Sequence, residues 1–229
     1  MFKLSMNRIN KNTLISKIKK NHQYVILISL VAFYTFALTW IEIHKFQSFQ
    51  FPDFDLAYAD QGTWLLSQGK YPFVTVRGAH IFADHTHFNY LLIAPFYWIW
   101  DDIRVLFFLQ SFWLALGAVP IYLISRETFK GKLPFVFIIS YLLYPALHFL
   151  NLENFHPVSM GVPVFLFAFY FLIKRNYLPY FILIALLLLT REEYPFTIFL
   201  IGIFAALKIN KKVGIATSVI SILWLVIAF

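Results

Sequence analysis

Residues 24–43 read YVILISLVAFYTFALTWIEI, twenty residues with a single charge, Glu42, one position from the end. At 1.5 Å per residue such a run reaches about 30 Å, the thickness of a bilayer's hydrocarbon core. The run is too long for the apolar part of a signal peptide and carries no small-residue cleavage site, so it reads as an uncleaved first helix. Ahead of it, residues 1–23 form a polar, basic tail. Behind it, apolar runs recur at 103–125, 133–150, 157–173, 177–190, 194–207 and from Val213 onward. The expected fold class is therefore all-α: a polytopic integral membrane protein of about seven transmembrane helices, with 24–229 as the membrane domain. A composition of 60% hydrophobic and 13% charged residues excludes an ordinary soluble domain.

The charges between these runs are sorted by sign. Residues 1–22, 126–132, 174–176 and 208–212 hold fourteen of the nineteen Lys and Arg. The other breaks, with the ends of the runs that lead into them, hold ten of the eleven carboxylates, all but Glu127, and six of the seven histidines. Lys and Arg stay on the cytoplasmic side during insertion. The expectation is a multi-pass protein of the cell membrane, its N-terminus cytoplasmic and its acidic breaks outward. The net charge of +8 is then topological, a matter of loops beside anionic lipid. It is not a nucleic-acid footprint, because no basic and aromatic surface survives outside the helices. Cysteine is absent, which excludes disulfides and thiolate chemistry. No phosphate-binding glycine loop, zinc-protease helix or nucleophile elbow is present.

Residues 44–102 form a long outward loop, the least membrane-like part of the chain. Within it, 52–69 reads as a surface helix that follows Pro52, is capped by Asp53 and stops at Gly69. Spacing puts Phe54, Tyr58, Trp64 and Leu65 on one side and Asp60, Thr63 and Ser67 on the other. Asp55 and Asp60 read two ways. They point into a cavity as base or ligand, or they serve the helix dipole and solvent. Next, Asp84, His85 and His87, with His80, place one carboxylate and three imidazoles within eight residues. Those donors suit a divalent metal, and equally a polar, hydrogen-bonded loop. The run 88–100 is too short to cross; its tyrosines and tryptophans suit the membrane interface. Asp101 and Asp102 open the second helix, and His148 reads as a hydrogen-bonded helix-end residue.

Glu153 and His156 form a second outward pair. Arg191, Glu192 and Glu193 make the tip of a hairpin whose two helices are each only about 21 Å long. With both flanks basic, the tip lies below the outer surface. Charges at that depth must face a wet cavity or one another. Pro145, Pro163 and Pro195 mark kinks or helix ends. The chain stops at Phe229 inside an apolar run, so the expectation is that part of a longer protein is missing.

Several of these motifs carry a resemblance. Phe54-Asp55, Asp60-Gln61 and Trp64, then Gly69 to Phe73, Asp84-His85, His87-Phe88, Ala94-Pro95, Asn154 to Pro157, and Thr190 to Glu193 resemble an uncharacterised family of prokaryotic predicted membrane proteins, known only as a domain of unknown function. The likeness runs from about 50 to 207. The layout in turn resembles the GT-C membrane glycosyltransferases. That likeness implies a catalytic carboxylate at Asp55, a second acidic site at Glu153 and a basic residue at Arg191 between the fifth and sixth helices. Glu192-Glu193 is more acidic than the corresponding GT-C motif, and the His80–His87 cluster is not a general GT-C feature.

The resemblance implies sugar transfer on the outer face from a polyprenyl-phosphate-linked donor reached through the bilayer. Asp55, Glu153 and Arg191 are then catalytic. Asp60, His156, Glu192 and Glu193 bind substrate, and Asp84, His85 and His87 hold a divalent metal if one is used. Two other classes stay open: a multi-pass transporter or lipid flippase, and a non-catalytic fragment or assembly subunit. Transporters place polar groups and broken helices near the midplane. Charge confined to one side favours a one-sided site.

Overall fold

The computed structural model describes residues 11–51, 53–83 and 85–228. A long helix α1 (Lys11–Gln47) is followed by α2 (Asp53–Ser67), a two-stranded hairpin of β1 (Phe73–Val74) and β2 (Ala79–His80), and the short α3 (Tyr90–Ile93), which runs into a 3-10 turn at Ala94–Trp98. Then come α4 (Arg104–Leu116), α5 (Ala118–Thr128), α6 (Leu133–Leu142), α7 (Pro145–Glu153), a 3-10 turn (Pro157–Met160), α8 (Gly161–Ile173), α9 (Tyr177–Leu188), α10 (Tyr194–Lys208) and α11 (Lys211–Ala228). The hairpin is a departure from the all-α expectation. It pairs Phe73 with His80 and Val74 with Ala79, and Gly78 supplies the left-handed residue at its turn.

Each of the seven expected apolar helices is present, with ends within a few residues except where α1 extends back to Lys11. Their lengths differ. His22–Gln47, Arg104–Thr128, Leu133–Glu153 and Lys211–Ala228 have 26, 25, 21 and 18 residues and are long and apolar enough to cross a membrane. Pro157–Ile173, Tyr177–Leu188 and Tyr194–Lys208 are apolar but shorter. At 1.5 Å per residue, α9 spans about 18 Å and α10 about 23 Å. By length, then, four helices qualify as spans rather than seven. The run 88–100 folds as α3 and its 3-10 turn, as its length required. Pro145, Pro163 and Pro195 all sit in the first turn of a helix, where the missing N–H costs no hydrogen bond.

Hydrogen bonds tie the breaks into two ends. At the basic end, Tyr122 donates to Gln23 at 3.0 Å, Arg126 donates to Tyr24 at 2.7 Å, and Lys174 pairs with Glu127. At the acidic end, Lys45 donates to the Leu152 carbonyl, Asn89 donates to that of Pro157 at 2.6 Å, and Glu192 is held by His85 and Thr86. The sorting of sign along the chain thus becomes a sorting in space.

The loop between α1 and α4 folds as a small cap with its own core. Leu56, Tyr58, Ala59, Val74, Ile81, Tyr90, Ile93 and Tyr97 pack against Val105, Leu106 and Phe107 of α4. The buried face of α2 differs from the expected one. Thr63 and Ser67 are buried, whereas Phe54 is 45% exposed. The hydroxyls of Thr63 and Ser67 bond back to the carbonyls of Ala59 and Trp64 at 2.6 and 2.7 Å, so they enter a packed face already satisfied. Gly62 lets Ile81 approach; a Cβ there would lie 2.2 Å from that side chain. Gly69, at φ +64°, ends α2 as expected.

Helices α10 and α11 meet through small residues. A Cβ on Gly214 would lie 2.1 Å from the Ala206 amide nitrogen and 2.5 Å from the Gly202 carbonyl oxygen. Close backbone approach of this kind is a common way to pair helices in lipid. Gly214→Ala is expected to push the helices apart at a cost of about 1–3 kcal/mol, read as a lower thermal midpoint of the detergent-solubilised protein. An unchanged midpoint would mean that the pair does not pack this closely.

Candidate functional site

At the acidic end, three stretches far apart in sequence converge: 85–89, 151–157 and 190–193. The hairpin tip Leu189–Glu193 joins the two short helices α9 and α10. Glu192 is 15% exposed. One of its oxygens lies 2.6 Å from Nδ1 of His85. The other accepts the Thr86 backbone N–H and hydroxyl, both at 3.1 Å. Burial works to raise the Glu192 pKa. Hydrogen bonds from its own backbone N–H, His85 and the Thr86 N–H outweigh that effect and bring it down to about 2. Glu192 is therefore an ionised clamp between the cap and the tip.

Beside it, Arg191 reaches Glu193 at 3.2 Å, while its buried Nε has no hydrogen-bond partner among the described residues. His87 is buried and its ring lies 5.1 Å from that of His85. Four residues past His85, Asn89 is 2% exposed and fastens the cap to the turn before α8 through the Pro157 carbonyl.

The second acidic break is shaped by Gln110 of α4, which is fully buried. Its amide donates to the carbonyls of Asn151 and Asn154 at 3.0 and 2.7 Å, and its Oε1 accepts the His156 backbone N–H at 2.7 Å. That clamp turns the chain sharply after α7. It leaves Glu153 and His156 outside as a pair, Oε2 to Nε2 at 2.6 Å. His148 accepts no such role; its Nε2 lies 2.5 Å from the Leu142 carbonyl, as a helix-end residue would.

The cap contributes two carboxylates. Asp60 accepts the Tyr97 hydroxyl at 2.7 Å. Its pKa is raised, chiefly by burial, with Asp102 and Asp101 adding repulsion against the lowering effect of the Tyr97 bond. Asp55 is exposed on α2 and makes no hydrogen bond or ion pair among the described residues. Asp102 caps α4 by accepting the Arg104 N–H at 2.9 Å. The Arg104 guanidinium grips it and holds its carboxyl below the usual range.

The structure thus joins His85 with Glu192, Glu153 with His156, Arg191 with Glu193, and Asp60 with Tyr97. It leaves Asp55 apart. Among the described residues, no three His, Asp or Glu side chains are grouped to hold a metal ion; Asp84 lies outside those residues. Sequence reasoning missed Thr86, Asn89 and Gln110. Gln110 at least left a signal, as an amide in the middle of an apolar helix.

Two apolar cavities open beside the tip. One, about 400 Å³, is lined by Phe88, Leu91, Leu92, Leu186, Leu189 and Trp224 with Asn89. The other, about 200 Å³, shares Asn89, Leu92 and Leu186 and adds Trp113, Met160 and Thr190.

Comparison with known families then decides the kinship. The family described as predicted membrane protein (DUF2079) matches residues 45–229. The chain belongs to this family. The match takes in the cap, the converging turns and every helix after α1, extending the expected 50–207 at both ends. No function is assigned to the family. Together with the apolar helices, the match makes the chain a membrane protein that sits in the lipid bilayer. No curated protein and no solved structure matches the chain.

Proposed function

We propose that the chain carries the one-sided site of a membrane glycosyltransferase that uses a lipid-linked donor. The observation that supports this reading is the convergence of carboxylates, histidines and Arg191 at one end, directly beside apolar cavities between α3, α4, α8, α9 and α11. A polyprenyl chain can occupy apolar space of that kind while its phosphate lies near the polar tip. In this reading the acidic end faces outward, as the basic breaks favour.

The chemistry follows from charge. The acceptor hydroxyl oxygen attacks the anomeric carbon, and Asp55 takes its proton as general base. The bond from the anomeric carbon to the donor phosphate breaks, and its electron pair leaves on the polyprenyl phosphate. Arg191, its Nε unspent among the described residues, faces that developing charge. Asp60, Glu153 and His156 orient the acceptor. Glu193 holds Arg191, and Glu192 with His85 keeps the tip in place.

Membranes containing the chain, supplied with polyprenyl-phosphate hexose labelled in the sugar and a mixture of sugar acceptors, are expected to move label into water-soluble or acceptor-linked product. Label that only equilibrates between leaflets, still on its lipid, would overturn this reading in favour of a flippase.

A further inference from the structure

Glu42 stands apart from every group above. Among the described residues it is the only fully buried carboxylate. It lies on α1 inside the first membrane-length helix, one to two turns in from the acidic end. Its Oε2 accepts the hydroxyl of Ser111 on α4 at 2.8 Å, and Ser111 accepts the amide of Asn151 on α7 at 3.0 Å. All three side chains are fully buried. Both supporting groups are neutral. The other oxygen, Oε1, is buried and has no hydrogen-bond partner among the described residues.

No cation comes within ion-pair reach of Glu42 among the described residues. Lys45 is the nearest candidate, three residues along. Its amine is bound to the Leu152 carbonyl and lies 4.7 Å over the Phe51 ring. His44 points to the exposed side against Trp40. On α7, His148 is engaged at Leu142 with its ring tilted against that of Tyr34, and Glu153 is paired with His156. Tyr34, two turns back on α1, is a buried neutral phenol that feels Glu42 and also meets Asn151. From α4 the neighbouring polar groups are Gln110 and Ser111, both uncharged. On α5, Arg126 and Glu127 lie at the opposite end, where Arg126 meets Tyr24.

An ionised carboxylate with only neutral donors and one bare oxygen is too costly to keep in an apolar interior, and such a group takes up a proton instead. We propose that Glu42, held by Ser111 and Asn151, is a membrane-buried proton-binding site lying directly beneath the turn that carries Glu153 and His156. The ligand is the proton itself. Bound, it lets α1 pack on α4 and α7. Its release would leave a charge that, among the described residues, Lys45 would meet by giving up the Leu152 carbonyl. The inference does not depend on the transferase reading.

Infrared spectroscopy of the full chain in lipid nanodiscs tests it. At neutral pH the wild type is expected to show the carbonyl stretch of a protonated carboxylic acid, and Glu42→Gln is expected to lose one equivalent of that band. Glutamine is neutral, has the same shape and still accepts from Ser111, so the variant is expected to unfold at the wild-type temperature. Dicyclohexylcarbodiimide, which couples to protonated carboxyls in apolar sites, is expected to label Glu42 less as pH rises. Lys45→Met is expected to move that decline to higher pH, because removing a nearby cation favours the neutral acid. An infrared band unchanged in Glu42→Gln would overturn the proposal. So would protection from the reagent by sodium at constant pH, which would mark a metal-cation site instead.

Discussion

Glu192→Ala is expected to lower the stability of the folded protein by about 2 kcal/mol and to loosen the cap from the hairpin tip. The pKa of about 2 against an ordinary value of 4.5 marks a strong preference for the ionised form, worth about 3 kcal/mol at 1.36 kcal/mol per pH unit. Solvent reaches the partly exposed His85 and screens part of that, hence the smaller figure. The sign is set by the direction of the shift. A carboxyl whose pKa falls on folding contributes stability above its unfolded pKa, and that contribution is lost as pH falls through the folded value. Wild-type stability is therefore expected to decline between about pH 4.5 and 2. Glu192→Gln should lack that component, since an amide does not titrate. Thermal unfolding of the two proteins across this range, in the same detergent, measures the difference. Parallel curves would mean that the clamp between Glu192, His85 and Thr86 contributes nothing.

This clamp also shows where sequence reading stops. The apolar runs were legible because a membrane helix needs a long stretch without charge, and length and hydrophobicity survive in one dimension. The expected ends of α9 and α10 lie within two residues of the observed ones for that reason. The hairpin tip was legible too, as a polar break between two short apolar helices. The partner of Glu192 was not. It stands more than a hundred residues away, in a loop whose histidines read equally well as metal ligands. Imidazole next to carboxylate is the same pattern whether the carboxylate comes from the loop or from across the fold. The face of α2 was misjudged for a different reason. Hydrophobic periodicity treats Thr63 and Ser67 as solvent-facing, whereas a hydroxyl that bonds back to its own helix carries little penalty into a packed interface. The buried amides, Asn89 and Gln110, act on backbone carbonyls of other segments. Backbone groups are present at every position, so such partners leave no trace in the pattern of residue types.

Asp55→Asn is expected to reduce sugar transfer by about 10²–10⁴-fold, the usual worth of a positioned general base, while leaving the protein as abundant and as heat-resistant as the wild type. The two halves of this expectation rest on different observations. Asp55 is exposed and unbonded among the described residues, so its loss removes no contact, and surface changes of that kind stay within about 0.5 kcal/mol. The carboxylates with partners offer less to a reacting hydroxyl. Glu192 is spent on His85 and Thr86, and Asp60 on Tyr97. Glu153, already against His156, is the competitor for the role. Glu153→Gln and Asp55→Asn should therefore be compared in the same transfer assay, over a range of acceptor concentration. If Asp55 is the base, its variant loses turnover at saturating acceptor, and the Glu153 variant chiefly needs more acceptor to reach the same rate. The reverse pattern would move the base to the turn after α7, where His156 with Glu153 behind it could take the proton, and would leave Asp55 as a surface charge on the cap.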